Sequence, residues 1–263
     1  MAIKVMMSLQ KGGVAKTITT SIMAEILAEV GYDVLVIDLD SQGNTTQMLT
    51  RRSIYDFSGE TVLEAIKEQD PLKYIVDVKE HLHVLPAEDM LATFSRYIYT
   101  NNFREPMQVL KNAMEDIDDI YDYILMDCPP NIGDLVLNAV VYSDYCIIPA
   151  QCEAFGIDAL DRFVKFLASA KEEGYTNIDV LGILLTMRES RIVSEKVIAD
   201  TIKRTYGDLV FETEIKRRAR IKDYALMGVT MDKKSDETAL SDYVKFVEEV
   251  IERVKKRSVK QEA

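Results

Sequence analysis

Cysteine, histidine, proline and glycine are all scarce in this 263-residue chain, and each scarcity closes off a class of function. The three cysteines, Cys128, Cys146 and Cys152, form no Cys-x-x-Cys pair, so a disulfide framework or structural zinc site is not expected and a reducing cytoplasm is the default. Their irregular spacing argues against an iron–sulfur cluster and for core thiols. The two histidines, His81 and His83, have no third metal ligand near them in sequence. Six prolines and eleven glycines leave no Pro/Gly/Ser linker, so one domain over residues 1–263 is expected. No apolar run reaches the ~18 residues a membrane span needs. The opening Met-Ala-Ile-Lys-Val leads into a strand-like run rather than a signal peptide's apolar core. Cations are short too: 32 Lys+Arg against 44 Asp+Glu give −12, which at first sight excludes a polyanionic partner.

What is present is alternation. Strand-like runs at Ile3–Ser8, Asp33–Asp38, Leu82–Leu85, Tyr123–Asp127, Tyr145–Pro149 and Val180–Thr186 are separated by helical periodicity. Several runs are apolar at successive positions, as strands are when a parallel sheet is covered on both faces. Helices are expected over Lys16–Val30, Phe103–Asp116, Ile157–Glu173, Ser194–Thr205 and Glu237–Lys256. This order predicts an α/β fold: a single doubly wound, mostly parallel sheet flanked by helices. The C-terminal tail, residues 255–263, lacks apolar periodicity and is expected to fray.

Between the first strand and first helix stands Gln10-Lys11-Gly12-Gly13-Val14-Ala15-Lys16-Thr17. A glycine-rich turn opening a helix aims backbone N–H groups at phosphate oxygens. Lys16 then reaches the β/γ-phosphates and the Thr17 hydroxyl ligates Mg²⁺. Both glycines of the standard pattern are replaced, by Gln10 and Ala15, and Lys11 is extra. Ala15 fits only with a negative or mildly strained φ, and Ile18 is expected to point into the sheet–helix packing.

Two acidic strings follow. Asp38-Leu39-Asp40 ends the second strand, and its carboxylates project to one side at the edge where open α/β sheets bind ligands. Alone, such a pair is as often a cap and turn. Beside a phosphate loop it reads as one carboxylate for Mg²⁺ water and one for the attacking water. Tyr123-Ile-Leu-Met-Asp127 has the form of a strand whose terminal carboxylate holds Mg²⁺.

Lys11-Gly-Gly-x-x-Lys16-Thr17 resembles the deviant Walker A loop of the ParA/MinD class of P-loop ATPases. Asp38-x-Asp40-x-Gln42-Gly43-Asn44, Asp127-Cys-Pro-Pro130 and Pro149-x-Gln151-x-Glu153 are similar to further segments of the ParA family, so the likeness covers most of the chain. It implies ATP and Mg²⁺ as cofactors, with the nucleotide on residues Lys11, Gly12, Gly13, Val14, Ala15, Lys16, Thr17 and Ile18. It implies catalytic roles for Lys11, Lys16 and Asp40, a metal set of Thr17, Asp38 and Asp127, and Lys11 crossing to the other subunit of an ATP-bound homodimer. The family usually has Gly at Ala15, Thr at Ile18 and Ser at Asn131.

Resolved along the chain, the charge is uneven. Residues 186–263 carry 18 cations and 15 anions, a balance of +3, which leaves −15 on the first 185. Five of the seven residues from Lys216 to Lys222 are cationic. A run of cations is usually a solvated helix face. By the family resemblance, Ile215-Lys-Arg-Arg-Ala-Arg220 falls on an Ile-Pro-Arg-x-x-Arg segment and Arg191 on another DNA-contacting arginine. Arg191, Lys216, Arg217, Arg218, Arg220 and Lys222 are therefore the candidate DNA contacts, to phosphate and without sequence preference.

The function this implies is DNA partition: an ATP-bound dimer binds double-stranded DNA nonspecifically and releases it on hydrolysis, slow by itself and stimulated by a ParB-like centromere-binding protein. The expected location is the cytoplasm, on the nucleoid when ATP is bound, with no membrane partner. The rivals are a MinD-like membrane-associated positioning ATPase and a nucleotide-gated scaffold with negligible turnover.

Overall fold

The structure, a computed structural model, describes residues 1–153, 156–189, 191–231 and 233–261. Seven strands form one sheet in the order β3-β4-β2-β5-β1-β6-β7. They are β1 (Ile3–Met7), β2 (Val34–Asp38), β3 (Val76–Lys79), β4 (Leu82–Leu85), β5 (Tyr123–Asp127), β6 (Tyr145–Gln151) and β7 (Asp179–Thr186). All pairings are parallel except β3 with β4. The parallel strands end at one edge, and there β1, between β5 and β6, releases the glycine-rich turn.

Ten helices among the described residues cover the two faces. They are α1 (Lys16–Glu29), α2 (Asn44–Thr50), α3 (Val62–Glu68), α4 (Phe94–Thr100), α5 (Val109–Ala113), α6 (Asp134–Tyr142), α7 (Gly156–Glu172), α8 (Val193–Tyr206), α9 (Ala219–Met227) and α10 (Lys234–Gln261). The sheet alternates its side chains between two cores. Met6, Ile37 and Met126 meet α3 to α8 on one face, while Val5, Val36 and Leu125 meet α1, α2, α9 and α10 on the other.

Two expectations need correction. The Phe103–Asp116 segment is not one helix: α5 holds only five residues between short 3₁₀ turns at Pro106–Gln108 and Glu115–Ile117. Pro106 starts the first turn, because a proline ring cannot sit inside a helix. The tail does not fray from residue 255, since α10 runs to Gln261; Glu262 and Ala263 lie outside the described residues. Cations anchor its end beside the buried Val250 and Val254. Arg253 donates to the carbonyls of Leu181 (3.1 Å) and Val210 (2.8 Å), and Arg257 donates to that of Val180 (2.7 Å). Each guanidinium also lies over an aromatic ring, Phe211 for Arg253 and Tyr145 for Arg257. Among the described residues no helix is long and apolar enough to cross a membrane.

Candidate nucleotide site

The turn after β1 is shaped by two left-handed residues, Gly13 at φ 73° and Ala15 at φ 68°. Glycine adopts this region freely, whereas an alanine there costs about 1–2 kcal/mol. Ala15 thus takes a glycine-like conformation, not the negative φ that an alanine prefers. Thr186, the last residue of β7, donates to the Val14 carbonyl (3.1 Å) and ties the turn to the sheet. An Ala15→Gly change should remove the strain and lose part of the gain to the freer unfolded chain. The expected net is a stabilisation of about 0.5–1 kcal/mol, a rise of roughly 1–3 °C in the thermal midpoint; a fall in the midpoint refutes the strain.

Lys16 opens α1 almost wholly buried, and its ammonium donates to the Lys11 carbonyl (3.1 Å). Burial pushes its amine down, while the nearby Asp127 charge pulls the other way. Thr17 Oγ1 donates to Asp127 Oδ2 (2.7 Å), and so does Thr45 Oγ1 (2.7 Å). Asp38 faces Asp127 across the β2–β5 pairing. Asp38 Oδ2 accepts from both the backbone N–H and the hydroxyl of Thr46 (2.8 Å each), and Oδ1 accepts from the Asp40 N–H (3.1 Å). Burial raises both carboxyls above the usual carboxylate range, and for Asp38 the neighbouring Asp127 charge adds to the effect.

Asp127 Oδ1 is buried without a hydrogen-bond partner. A buried acceptor left unpaired is costly. Here it adjoins a second buried carboxylate and a threonine hydroxyl, the hard oxygen donors that suit Mg²⁺. A dication would remove both the orphan acceptor and the like-charge conflict, so the residues present fit that metal.

Asp40 is half-buried at the rim, its Oδ1 accepting from the Gln42 N–H (3.0 Å). Lys11 lies across the turn, and its ammonium is paired with Glu153 of the same chain (2.7 Å). Ile18 packs partly against the core beneath α1, as expected, but also borders a cavity of about 450 Å³. This cavity runs from Gly12–Thr17 and Asp40 past Gln47, Met48 and Pro130 to Met187, Ile215 and the start of α9. Thr45 and Thr46 carry no signal of their own in the sequence. The two threonines of α2 directly follow the Asp-x-Asp string, and that adjacency was the available clue.

A family model described as "AAA domain" matches residues 2–180. The sporulation initiation inhibitor protein Soj of Bacillus subtilis (strain 168) is 32% identical over 222 residues, covering 81% of this chain and 84% of Soj. The chromosome partitioning protein ParA of Myxococcus xanthus (strain DK1622) is 31% identical over 221 residues, 83% of this chain and 77% of that protein. The chain belongs to the ParA/Soj family of ATPases. In three dimensions this ParA-type chain resembles the cobyrinic acid a,c-diamide synthase of Mycobacterium smegmatis, solved with bound ADP and magnesium. The two share 26% identity at a TM-score of 0.82, over 97% of this chain and 96% of the synthase.

The basic segment of this ParA-type chain divides in two. Arg218 pairs with Asp242 (3.1 Å). Arg220 pairs with the buried Asp236 (2.7 Å), donates to Thr230 and lies over the Tyr224 ring; its charge holds the Asp236 carboxyl down at about 2. These two guanidiniums fasten α9 to α10, and both stay partly exposed. Arg217 makes an exposed pair with Glu189 (2.9 Å), while Arg191, Lys216 and Lys222 are exposed. All three cysteines are free and buried. Burial pushes the Cys152 thiol up to about 11, as inert core thiols require. His81 contacts Asp33 and His83 contacts Tyr121, and no group of metal-ligating side chains surrounds either among the described residues.

Proposed function

We propose that this ParA-type ATPase hydrolyses ATP with Mg²⁺ as a DNA partition switch. The observation that carries the reading is the convergence of Lys16, Thr17, Asp38, Asp40 and Asp127 at the carboxyl edge of β1, β2 and β5. Phosphoryl transfer to water demands positioning and charge neutralisation more than covalent chemistry. Backbone N–H groups of the Gly12–Thr17 turn hold phosphate oxygens, and Lys16 adds a point charge. Thr17, Asp38 and Asp127 hold Mg²⁺, which when bound neutralises charge on the phosphates. Asp40, fixed by its contacts with Asp38 and Gln42, orients the attacking water. Ala15 keeps a glycine-like backbone, which supports turnover over the scaffold reading.

Two chains join face to face on ATP, and each Lys11 leaves Glu153 for the phosphates of the partner subunit. The dimer then binds double-stranded DNA without sequence preference through Arg191 and Arg217. Slow basal hydrolysis, accelerated by a centromere-binding partner of the ParB kind, releases it, so the protein moves between cytoplasm and nucleoid. The supporting observation is that Arg191 and Arg217 are exposed, whereas Arg218 and Arg220 are half-buried and tied to carboxylates of α10. DNA retention with ATP against ADP tests the reading. Wild type should bind only with ATP, Lys16→Ala should not bind, and Arg191→Glu with Arg217→Glu should bind ATP but not DNA. Retention independent of nucleotide overturns it.

A further inference from the structure

The cavity above the phosphate turn has a second cationic wall. Gly12–Ile18 and Asp40 form one side, and Lys216, Arg217, Arg218 and Lys222 stand among the residues of the other. Arg218 stands at the N-cap of α9 and Lys222 near the start of the helix, and both line the cavity. Ile221 and Ala225 make a four-residue row on the same helix and also line the cavity, beside Met48 and Tyr243. The helix therefore presents an apolar floor and a cationic rim to the space where the nucleotide belongs.

The pairing of these cations differs. Arg217, Arg218 and Arg220 each have a carboxylate partner, whereas the Lys222 ammonium has none among the described residues. Arg218 is only partly satisfied, since its Nε is buried without an acceptor. Charge balance points the same way. A triphosphate brings more negative charge than Lys16 and one dication cancel, and Asp38, Asp40 and Asp127 at the same edge add to the excess. Further cations on the cavity wall correct it.

We propose that Lys222, supported by Arg218 on the same cavity wall, binds the polyphosphate of the nucleotide instead of DNA. The proposal rests on the nucleotide-site reading above. It assigns part of the segment that looks most like a DNA surface to a different polyanion. It also places α9 in the ATP site, so that nucleotide occupancy is felt by the helix carrying the basic segment.

The test is the Kd of Mg·ATP for the full chain, read with a fluorescent ATP analogue in the absence of DNA. Lys222→Ala should weaken binding about ten- to a hundredfold, the range for loss of one charge-assisted contact. Lys222→Arg should restore it to within about twofold, because the charge returns. The thermal midpoint of the nucleotide-free chain should not move, and DNA retention at saturating ATP should stay at the wild-type level. An unchanged Kd in Lys222→Ala, with binding lost in Lys16→Ala, overturns the proposal and leaves the nucleotide site standing. Loss of DNA retention at saturating ATP also overturns it. Failure of the wild-type chain to bind Mg·ATP removes the nucleotide-site reading, and the proposal with it.

Discussion

Asp127→Asn is expected to yield a chain that is more stable than the wild type without metal and inactive with it. Asp38 and Asp127 are paired neighbours on β2 and β5, both buried, and burial raises both carboxyls. A raised carboxyl holds a proton in the folded chain that the unfolded chain releases. Stability of the metal-free protein should accordingly fall as pH rises from about 4, where ordinary carboxylates ionise, towards neutrality. The amide removes one charge of the pair, can still accept from Thr17 and Thr45, and should add about 1–2 kcal/mol at neutral pH. The pH slope should flatten with it. Hydrolysis should drop by at least about 10²-fold, since the carboxylate facing the metal is gone. Denaturant unfolding between pH 4 and 8, with and without Mg²⁺ and ATP, reads all of this. The wild type should gain stability from Mg·ATP and the variant should gain much less. A variant less stable than wild type at pH 7 contradicts the like-charge account.

The second large effect belongs to Asp40→Asn. Asp40 sits at the cavity rim, its N–H bonded to Asp38 and its Oδ1 accepting from the Gln42 N–H. The amide can keep that last bond, so the turn should survive and the midpoint should stay within about 2 °C. What goes is the negative charge proposed to orient the attacking water, a contribution on the order of 10²–10⁴-fold. The expected result is kcat lowered by at least ~10²-fold with the Kd for Mg·ATP within about threefold, the pattern of an interaction made only in the transition state. The ATP-bound dimer should then persist and DNA retention should lengthen. A kcat within threefold of wild type removes Asp40 from the mechanism.

Much of the fold was legible, and the reasons can be located. Val34–Asp38 and Tyr123–Asp127 are buried at every position, so their unbroken apolar runs could be read as inner parallel strands. Val76–Lys79 was missed because it is a half-buried antiparallel edge with no such run. The helices α2 and α3 have seven residues each, too few to display a period. Within the site, the loop, the two acidic strings and their order along the chain were visible because each is contiguous. Thr45 and Thr46, which hold Asp127 and Asp38, were not, since they meet those carboxylates only after β2 and β5 align. Nor was the pairing of Arg220 legible. Its partner Asp236 is 16 residues away on another helix, and no local pattern reveals an ion pair formed in the folded chain.

The place of β1 sets a schedule for synthesis. The glycine-rich turn leaves the ribosome long before the strands that flank its own, for β1 is sandwiched between β5 and β6. Ile3 pairs with Tyr123 and Val5 with Tyr145, partners translated well over a hundred residues later. At typical elongation rates the first strand waits on the order of ten seconds for them. Closing so long a loop also belongs to the slow end of folding. During that interval the nascent chain carries Lys16 and Thr17 with neither Asp127 nor the β6 support in place. A chain interrupted before β6 holds the phosphate-binding sequence without the site, so ATP affinity should arrive as a late step in the life of each molecule.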